Sequence, residues 1–187
     1  VEGHRPSGVF CINDGRIKLV KLGNEGKEKI VRLSGAGDLI GYKAIVSNNT
    51  YSATAVALSD VKICFIPKSN FLGMLAENGR LSMEFTQLLC RNISAVESET
   101  VDIAYKSVRE RLAEALLLLQ EKFKFENDNP EIITVTREDL ATLIGTAKET
   151  VIRLLSDFKE EGIVESLGRK IVLKDQEALV KMCSIYD

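Results

Sequence analysis

The segment that most constrains the fold is Thr136–Leu173, TREDLATLIGTAKETVIRLLSDFKEEGIVESLGRKIVL. Thr136 carries a hydroxyl able to cap free backbone N–H groups, and Asp139 follows three residues on, which marks a helix start. Leu140, Leu143 and Ile144 then recur at helical spacing. Gly145 follows the last apolar residue, where a left-handed turn is easiest. A second helix is expected from Thr146 or Ala147, burying Val151, Leu154, Leu155 and Phe158, and Gly162 ends it. Two alternating runs, Ile163–Ser166 and Lys170–Leu173, join across Leu167-Gly168-Arg169 as a hairpin.

Helix, short turn, helix is the unit that lays its second helix in a DNA major groove. Lys148, Glu149, Ile152 and Arg153 are the candidate base readers. Glu149 and Arg153 lie four apart and share one helix face. Arginine pairs with guanine O6/N7, glutamate accepts from cytosine N4, and Ile152 suits a thymine methyl. Thr136, Arg137, Thr146, Thr150, Arg169 and Lys170 sit at helix starts and at a wing tip, and are the candidate phosphate contacts. A structural reading competes: Thr146 and Glu149 also spell a capping box, and Glu149/Arg153 an ordinary helix ion pair. The turn, the hairpin and the clustered basic residues together favour DNA.

Bulk charge gives no such signal. The chain has 187 residues and a formal net charge of -2. From Glu131 to Asp187 there are 8 Lys+Arg against 11 Asp+Glu, a net of -3. DNA affinity must therefore come from where the basic groups sit. The length suits one large domain or two small ones. No run of about 18 apolar residues indicates a membrane span, and the opening residues show no signal-peptide pattern. Cys11, Cys64, Cys90 and Cys183 are widely spaced without a C-x-x-C, which spells neither a disulfide framework nor a zinc site and fits a reducing cytoplasm. A single histidine, His4, and no nucleophile–base grouping argue against an enzyme.

Ahead of the DNA-reading unit, Val1–Pro67 reads as short strands punctuated by glycine turns. These are Val9–Ile12, Arg16–Leu22, Glu28–Leu33, Tyr51–Ala57 and Val61–Ile66, with turns at Asn13-Asp14-Gly15 and Gly23–Gly26. That pattern implies an antiparallel sandwich or barrel. A short helix is expected around Ser69–Leu75, then a long one from Leu81 to about Tyr105. Leu89, Ile93, Val96, Thr100 and Ile103 are spaced four, three, four and three along it, as in a coiled-coil seam. Ser107-Val108-Arg109-Glu110 is another capping box and restarts the helix, with a hinge placed at Ala104–Ser107. Arg109, Arg111 and Glu114 read as a solvated face. Phe125–Pro130 is a polar link, Ile132–Val135 a strand, and Ala178–Ile185 a last short helix. The expected domains are a sensor barrel over 1–80, a dimerisation helix and hinge over 81–106, and a winged helix-turn-helix over 107–187.

The Thr136–Leu173 segment resembles the winged helix-turn-helix of the catabolite-activator / fumarate-nitrate-regulator (Crp/Fnr) family, whose Glu-Thr-x-x-Arg recognition helix matches Glu149-Thr150-Val151-Ile152-Arg153. Ala147 departs from the Ser or Thr usual there, and Lys148 stands where the family often places another base or phosphate contact. The strands resemble the family's jelly-roll sensor at Gly3, Gly8–Ile12, Gly15–Leu19 and Ala36–Gly41. The resemblance implies an α+β protein: an antiparallel β jelly-roll, a long dimerisation helix and a C-terminal winged helix-turn-helix. It further implies a homodimer on a two-fold symmetric DNA site with half-sites of the TTGA/TCAA kind, and RNA polymerase as a further candidate partner. It also implies a helix and strand ahead of Val1.

The effector position sits at Gly41, Tyr42, Lys43, Tyr51 and Ser52. Cyclic-nucleotide binders of the family carry Gly-Glu-x-Gly and then Arg-Ser or Arg-Thr. Here Gly41-Tyr42-Lys43-Ala44 and Tyr51-Ser52 lack both the carboxylate and the guanidinium fork. The region looks closer to the Fnr branch, so cyclic AMP is not the expected effector and no cofactor is expected. A cyclic nucleotide or other small molecule remains the alternative. So does an iron–sulfur or thiol redox sensor, in which Cys64 would be the fourth ligand to three cysteines ahead of Val1.

Overall fold

The computed structural model describes residues 1–23, 26, 28–123 and 132–183, with the side chain of Phe123 left aside. The expected link Phe125–Pro130, Asn24 and Glu25 of the Gly23–Gly26 turn, and Ile185 at the end of the expected last helix lie outside the described residues. The chain divides into two compact units, Val1–Ser98 and Glu99–Asp187.

The first unit holds two antiparallel three-stranded sheets. Its strands are β1 (Gly8–Asp14), β2 (Ile17–Leu22), β3 (Glu28–Ser34), β4 (Leu39–Ile40), β5 (Thr54–Ala57) and β6 (Lys62–Pro67). One sheet runs β4-β1-β6 and the other β3-β2-β5. A register shift between Leu19 and Val20 explains why the β2 pattern alternates only in part. The two faces of β1 serve two cores. Ile12 packs with Ile17 and Ile40. Val9, on the opposite face, packs with Tyr42, Ile45 and Phe71. The five-residue helix α1 (Tyr42–Val46) and α2 (Lys68–Glu77) supply those partners. Cys11 of β1 stands directly opposite Cys64 of β6, so two cysteines remote in sequence are cross-strand neighbours.

The long helix α3 spans Gly79–Tyr105 and has no fully buried residue. Ile93, Val96 and Ile103 are 58%, 56% and 46% exposed, and Thr100 is exposed too. Leu89 differs from these: it packs against the Val9–Tyr42–Phe71 cluster. It belongs at least partly to its own unit's core, because one turn of α3 must close that cluster.

The second unit is built from α4 (Val108–Phe123), β7 (Ile132–Thr134), α5 (Arg137–Ile144), α6 (Lys148–Glu160), β8 (Val164–Leu167), β9 (Lys170–Leu173) and α7 (Gln176–Cys183). The strands order β7-β9-β8. Ser107 and Glu110 form both arms of the expected capping box: Glu110 N–H donates to Ser107 Oγ, and Ser107 N–H donates to the Glu110 carboxylate. The corner between α3 and α4 is braced by Lys106, whose ammonium meets Asp102 at 2.8 Å and Glu114 at 3.0 Å. Burial works against the charge on Lys106, but the bonds to Asp102 and Glu114 outweigh it and raise its pKa above the ordinary 10.5. The solvated face expected at Arg109, Arg111 and Glu114 is therefore corrected. Arg109 pairs with Glu161 and lies 4.6 Å above the Phe158 ring. Arg111 turns its Nε out of solvent, and Glu114 serves Lys106. Arg109 and Glu114 are thus held by partners while still partly solvated.

Candidate nucleic-acid interface

The interface is organised by α6. Val151, Leu154, Leu155 and Phe158 are buried at helical spacing. The opposite face must then point outward, and it carries Lys148, Glu149, Ile152 and Arg153, all exposed. Ile152 is 48% exposed on that face, where its side chain is free to meet a thymine methyl. The helix ion pair read as the alternative for Glu149 and Arg153 is not formed among the described residues, so both side chains project from adjacent turns. Lys148 leans back instead, 3.6 Å from Glu138 at the start of α5.

The turn between the helices comes from Gly145, at φ +69, a conformation that side-chain-bearing residues rarely adopt. Thr146 N–H then donates to Ala141 O at 3.0 Å and fixes the turn. This geometry overturns the expected Thr146–Glu149 capping box. The cap position falls on Ala147, with no side-chain hydrogen bond. The first N–H groups of α6 therefore lack a side-chain cap, while Thr146 and Thr150 are half-buried beside them.

Two of the expected phosphate contacts have other engagements in the fold. The Thr136 hydroxyl is committed to capping α5: it accepts from Asp139 N–H at 3.0 Å and donates to the Asp139 carboxylate at 2.7 Å. Arg137 buries its Nη1, which has no hydrogen-bond partner among the described residues, and that burial lowers its pKa. Arg169 and Lys170 are exposed at the tip of the β8–β9 hairpin, as a wing contact requires. That hairpin is tied to the start of the helix-turn-helix, since Val135 N–H donates to Arg169 O at 3.0 Å.

The five effector residues do not share one pocket wall. Tyr42 is 2% exposed, and its hydroxyl accepts from Arg32 Nη1 at 2.9 Å and Asn92 Nδ2 at 2.7 Å. Arg32 is a cation the sequence pattern missed, because it lies on β3 rather than in the effector segment. Gly41 sits at φ +85, and a β-carbon there would stand 3.2 Å from the Tyr51 ring. The Tyr51 hydroxyl donates to Gly8 O at 3.1 Å. Lys43, Tyr51 and Ser52 line an open depression of about 340 Å³ with Glu2, Asn49 and Thr50. Burial, and then the charge of Arg32, lower the pKa of Lys43. A cyclic nucleotide needs a carboxylate for the ribose and a guanidinium fork for the phosphate. The depression offers the Glu2 carboxylate but Lys43 where a guanidinium fork is needed, and Arg32 is engaged with Tyr42 and Asp38. Among the described residues, no three His, Cys, Asp or Glu side chains group as a metal site, and no helix is long and apolar enough to cross a membrane.

Comparison with known proteins accounts for both units. Residues 1–78 match the cyclic nucleotide-binding domain, and residues 110–182 match the Crp-like helix-turn-helix domain. The chain belongs to the Crp/Fnr family. Among its relatives, the fumarate and nitrate reduction regulatory protein of Yersinia pestis is 29% identical over 182 residues, covering 96% of this chain and 72% of the relative. A CRP-like cAMP-activated global transcriptional regulator of Mycobacterium tuberculosis is 23% identical, covering 96% and 81%. Two solved structures share the fold: FixK2 from Bradyrhizobium japonicum, with a TM-score of 0.84 at 21% identity over 97% of this chain and 91% of that one, and a CRP-family transcriptional regulator from Thermus thermophilus, with a TM-score of 0.80 at 21% identity over 98% and 91%. The architecture is thus that of a Crp/Fnr transcription regulator: antiparallel sheets in a nucleotide-binding-type domain, a long helix, and a DNA-binding helix-turn-helix formed by α5 and α6.

Proposed function

We propose that this Crp/Fnr regulator acts as a homodimer on a two-fold symmetric DNA site, with α6 of each copy reading one half-site through Glu149 and Arg153. The observation that carries this reading is the split of α6 into a wholly buried face and a face that presents Lys148, Glu149, Ile152 and Arg153 together. Arginine and glutamate one turn apart suit the guanine and the cytosine of neighbouring pairs. Arg169 and Lys170 add phosphate contacts from the wing. The exposed stripe Ile93, Val96, Thr100 and Ile103 on α3 supports self-association, because a seam of that spacing is buried by a second helix of the same kind. Two copies then present two recognition helices to successive turns of the groove.

The effector in this reading is a molecule other than cyclic AMP. The Tyr42 hydroxyl is already satisfied, and the depression beside Lys43 and Ser52 is open, with Lys43 rather than a guanidinium fork in its lining. RNA polymerase is the second macromolecular partner of the proposal. The test is a titration of a labelled duplex carrying inverted TTGA and TCAA half-sites, followed by anisotropy and by sedimentation. Saturation at two chains per duplex, with a scrambled duplex bound far more weakly, is the expected outcome. One chain per duplex, or equal affinity for the scramble, contradicts it. Calorimetry with cyclic AMP and cyclic GMP is expected to give no heat, and tight binding of either would overturn the effector reading.

A further inference from the structure

The pairing of β1 with β6 puts Cys11 and Cys64 directly opposite each other. Opposed residues in an antiparallel pair project to the same face. The two thiols therefore share a face, with Cys64 exposed and Cys11 half-buried. The hydrogen-bond pattern fixes the kind of pair. Lys68 N–H donates to Ser7 O at 2.9 Å, so Ser7 and Lys68 face each other as a hydrogen-bonded pair of this ladder. Bonded pairs alternate along the strands, and in this register the bonded set runs through Val9–Ile66 to Cys11–Cys64. The neighbouring bond agrees: Ile12 N–H donates to Asp38 O, away from β6. A bonded pair holds its β-carbons about 5.5 Å apart, whereas a relaxed disulfide needs about 3.5–4.5 Å. The thiols are close enough to join only if the strands draw together, and a bond formed that way is under strain and readily reduced.

We propose that Cys11 and Cys64 form a dithiol that peroxides convert, reversibly, into a cross-strand disulfide. The exposed Cys64 is the attacking group. Its thiolate bonds to one peroxide oxygen, the O–O bond breaks, and water or an alcohol leaves, giving a sulfenic acid. Cys11 Sγ then attacks Cys64 Sγ; the S–S bond forms, the S–O bond breaks, and the hydroxide leaves as water with the proton of the Cys11 thiol. Two thiols are oxidised and one peroxide is reduced. A low-molecular-weight thiol reverses the change. In a compartment that keeps thiols reduced, such a strained pair is a transient mark rather than a structural staple. Cys11 is two residues from Val9 on the same face, and Val9 belongs to the cluster that packs Phe85 and Leu89 of α3. The modification therefore lies where drawing the strands together disturbs the seat of the long helix.

The test treats the whole chain with hydrogen peroxide, unfolds it, alkylates the remaining thiols and maps the peptides. The expected result is the loss of two of the four alkylatable thiols, a peptide pair linked through Cys11 and Cys64 within one chain, and full recovery with dithiothreitol. Exposed Cys90 on α3 is the internal control and should be absent from the linked pair. The C11S variant should stop at a sulfenic acid on Cys64, trapped by dimedone. Cys11 and Cys64 both remaining alkylatable while Cys90 is consumed would overturn the proposal. So would a linkage found only between chains, or a C11S protein that still loses two thiols at the parent rate.

Discussion

Arg153 is the residue on which base reading turns. Its guanidinium is exposed, unpaired among the described residues, and one turn from Glu149. Replacing it with alanine is expected to cost about 1–3 kcal/mol per half-site and to relax selectivity at one base pair; binding curves on a panel of single-base variants check both. Lys148 makes a subtler case. Its 3.6 Å pair with Glu138 is exposed and weak, so Glu138→Gln should leave thermal stability nearly unchanged while releasing Lys148 toward DNA. Tighter, less selective DNA binding is the expected result, seen as a higher affinity for scrambled duplex. The Glu149/Arg153 spacing was legible because a helix has a fixed period. The Thr136 cap was legible as well, but not that the cap would consume the hydroxyl assigned to phosphate. The missing cap at Ala147 was hidden, since the backbone of a three-residue turn decides which residue sits at the cap. Arg109 was hidden for another reason: its partners Phe158 and Glu161 lie on a distant helix.

At the level of elements, long periodic segments could be read and short ones could not. The helices α3, α5 and α6 and the wing hairpin follow from spacing and glycine stops. The two-residue β4 and the five-residue α1 are too short to show a period, and α1 carries Tyr42, the centre of the network with Arg32 and Asn92. Cross-strand pairing is likewise absent from spacing, which is why the Cys11–Cys64 pair emerged only from the register. Phe158 is fully buried in α6 and stacked under Arg109, so Phe158→Ala should destabilise the DNA-binding unit by about 3–5 kcal/mol, measured by denaturant unfolding. The α3–α4 corner gives a pH-dependent case. Lys106 has its pKa raised in the folded state, so its contribution is fully present below the unfolded value near 10.5 and is lost as pH rises through the higher folded value. Lys106→Met should therefore lower Tm by a constant amount between neutral pH and about pH 9, and the gap between variant and parent should close above pH 10.5.

For the whole molecule, the decisive properties are self-association and salt-dependent DNA binding. Ile93, at 58% exposure on α3, is the test position for the seam. Ile93→Asp would place a charge where two helices meet. It should shift the protein to monomer by sedimentation while leaving the helical content unchanged. Phosphate contacts from Arg169 and Lys170 predict a steep linear fall of log affinity with log salt, and removing both cations should reduce that slope by about two per half-site, about four for the two-chain complex. Net charge gave no hint of this behaviour, because a formal -2 averages over a wing tip that is locally basic. The most direct single test is selection of bound sequences by the chain from a random duplex pool. The account predicts two inverted half-sites centred about 10 base pairs apart, each with a G·C pair whose enrichment disappears in the Arg153→Ala protein. Enrichment of a single unpaired motif, or the same motif selected by Arg153→Ala, would contradict it.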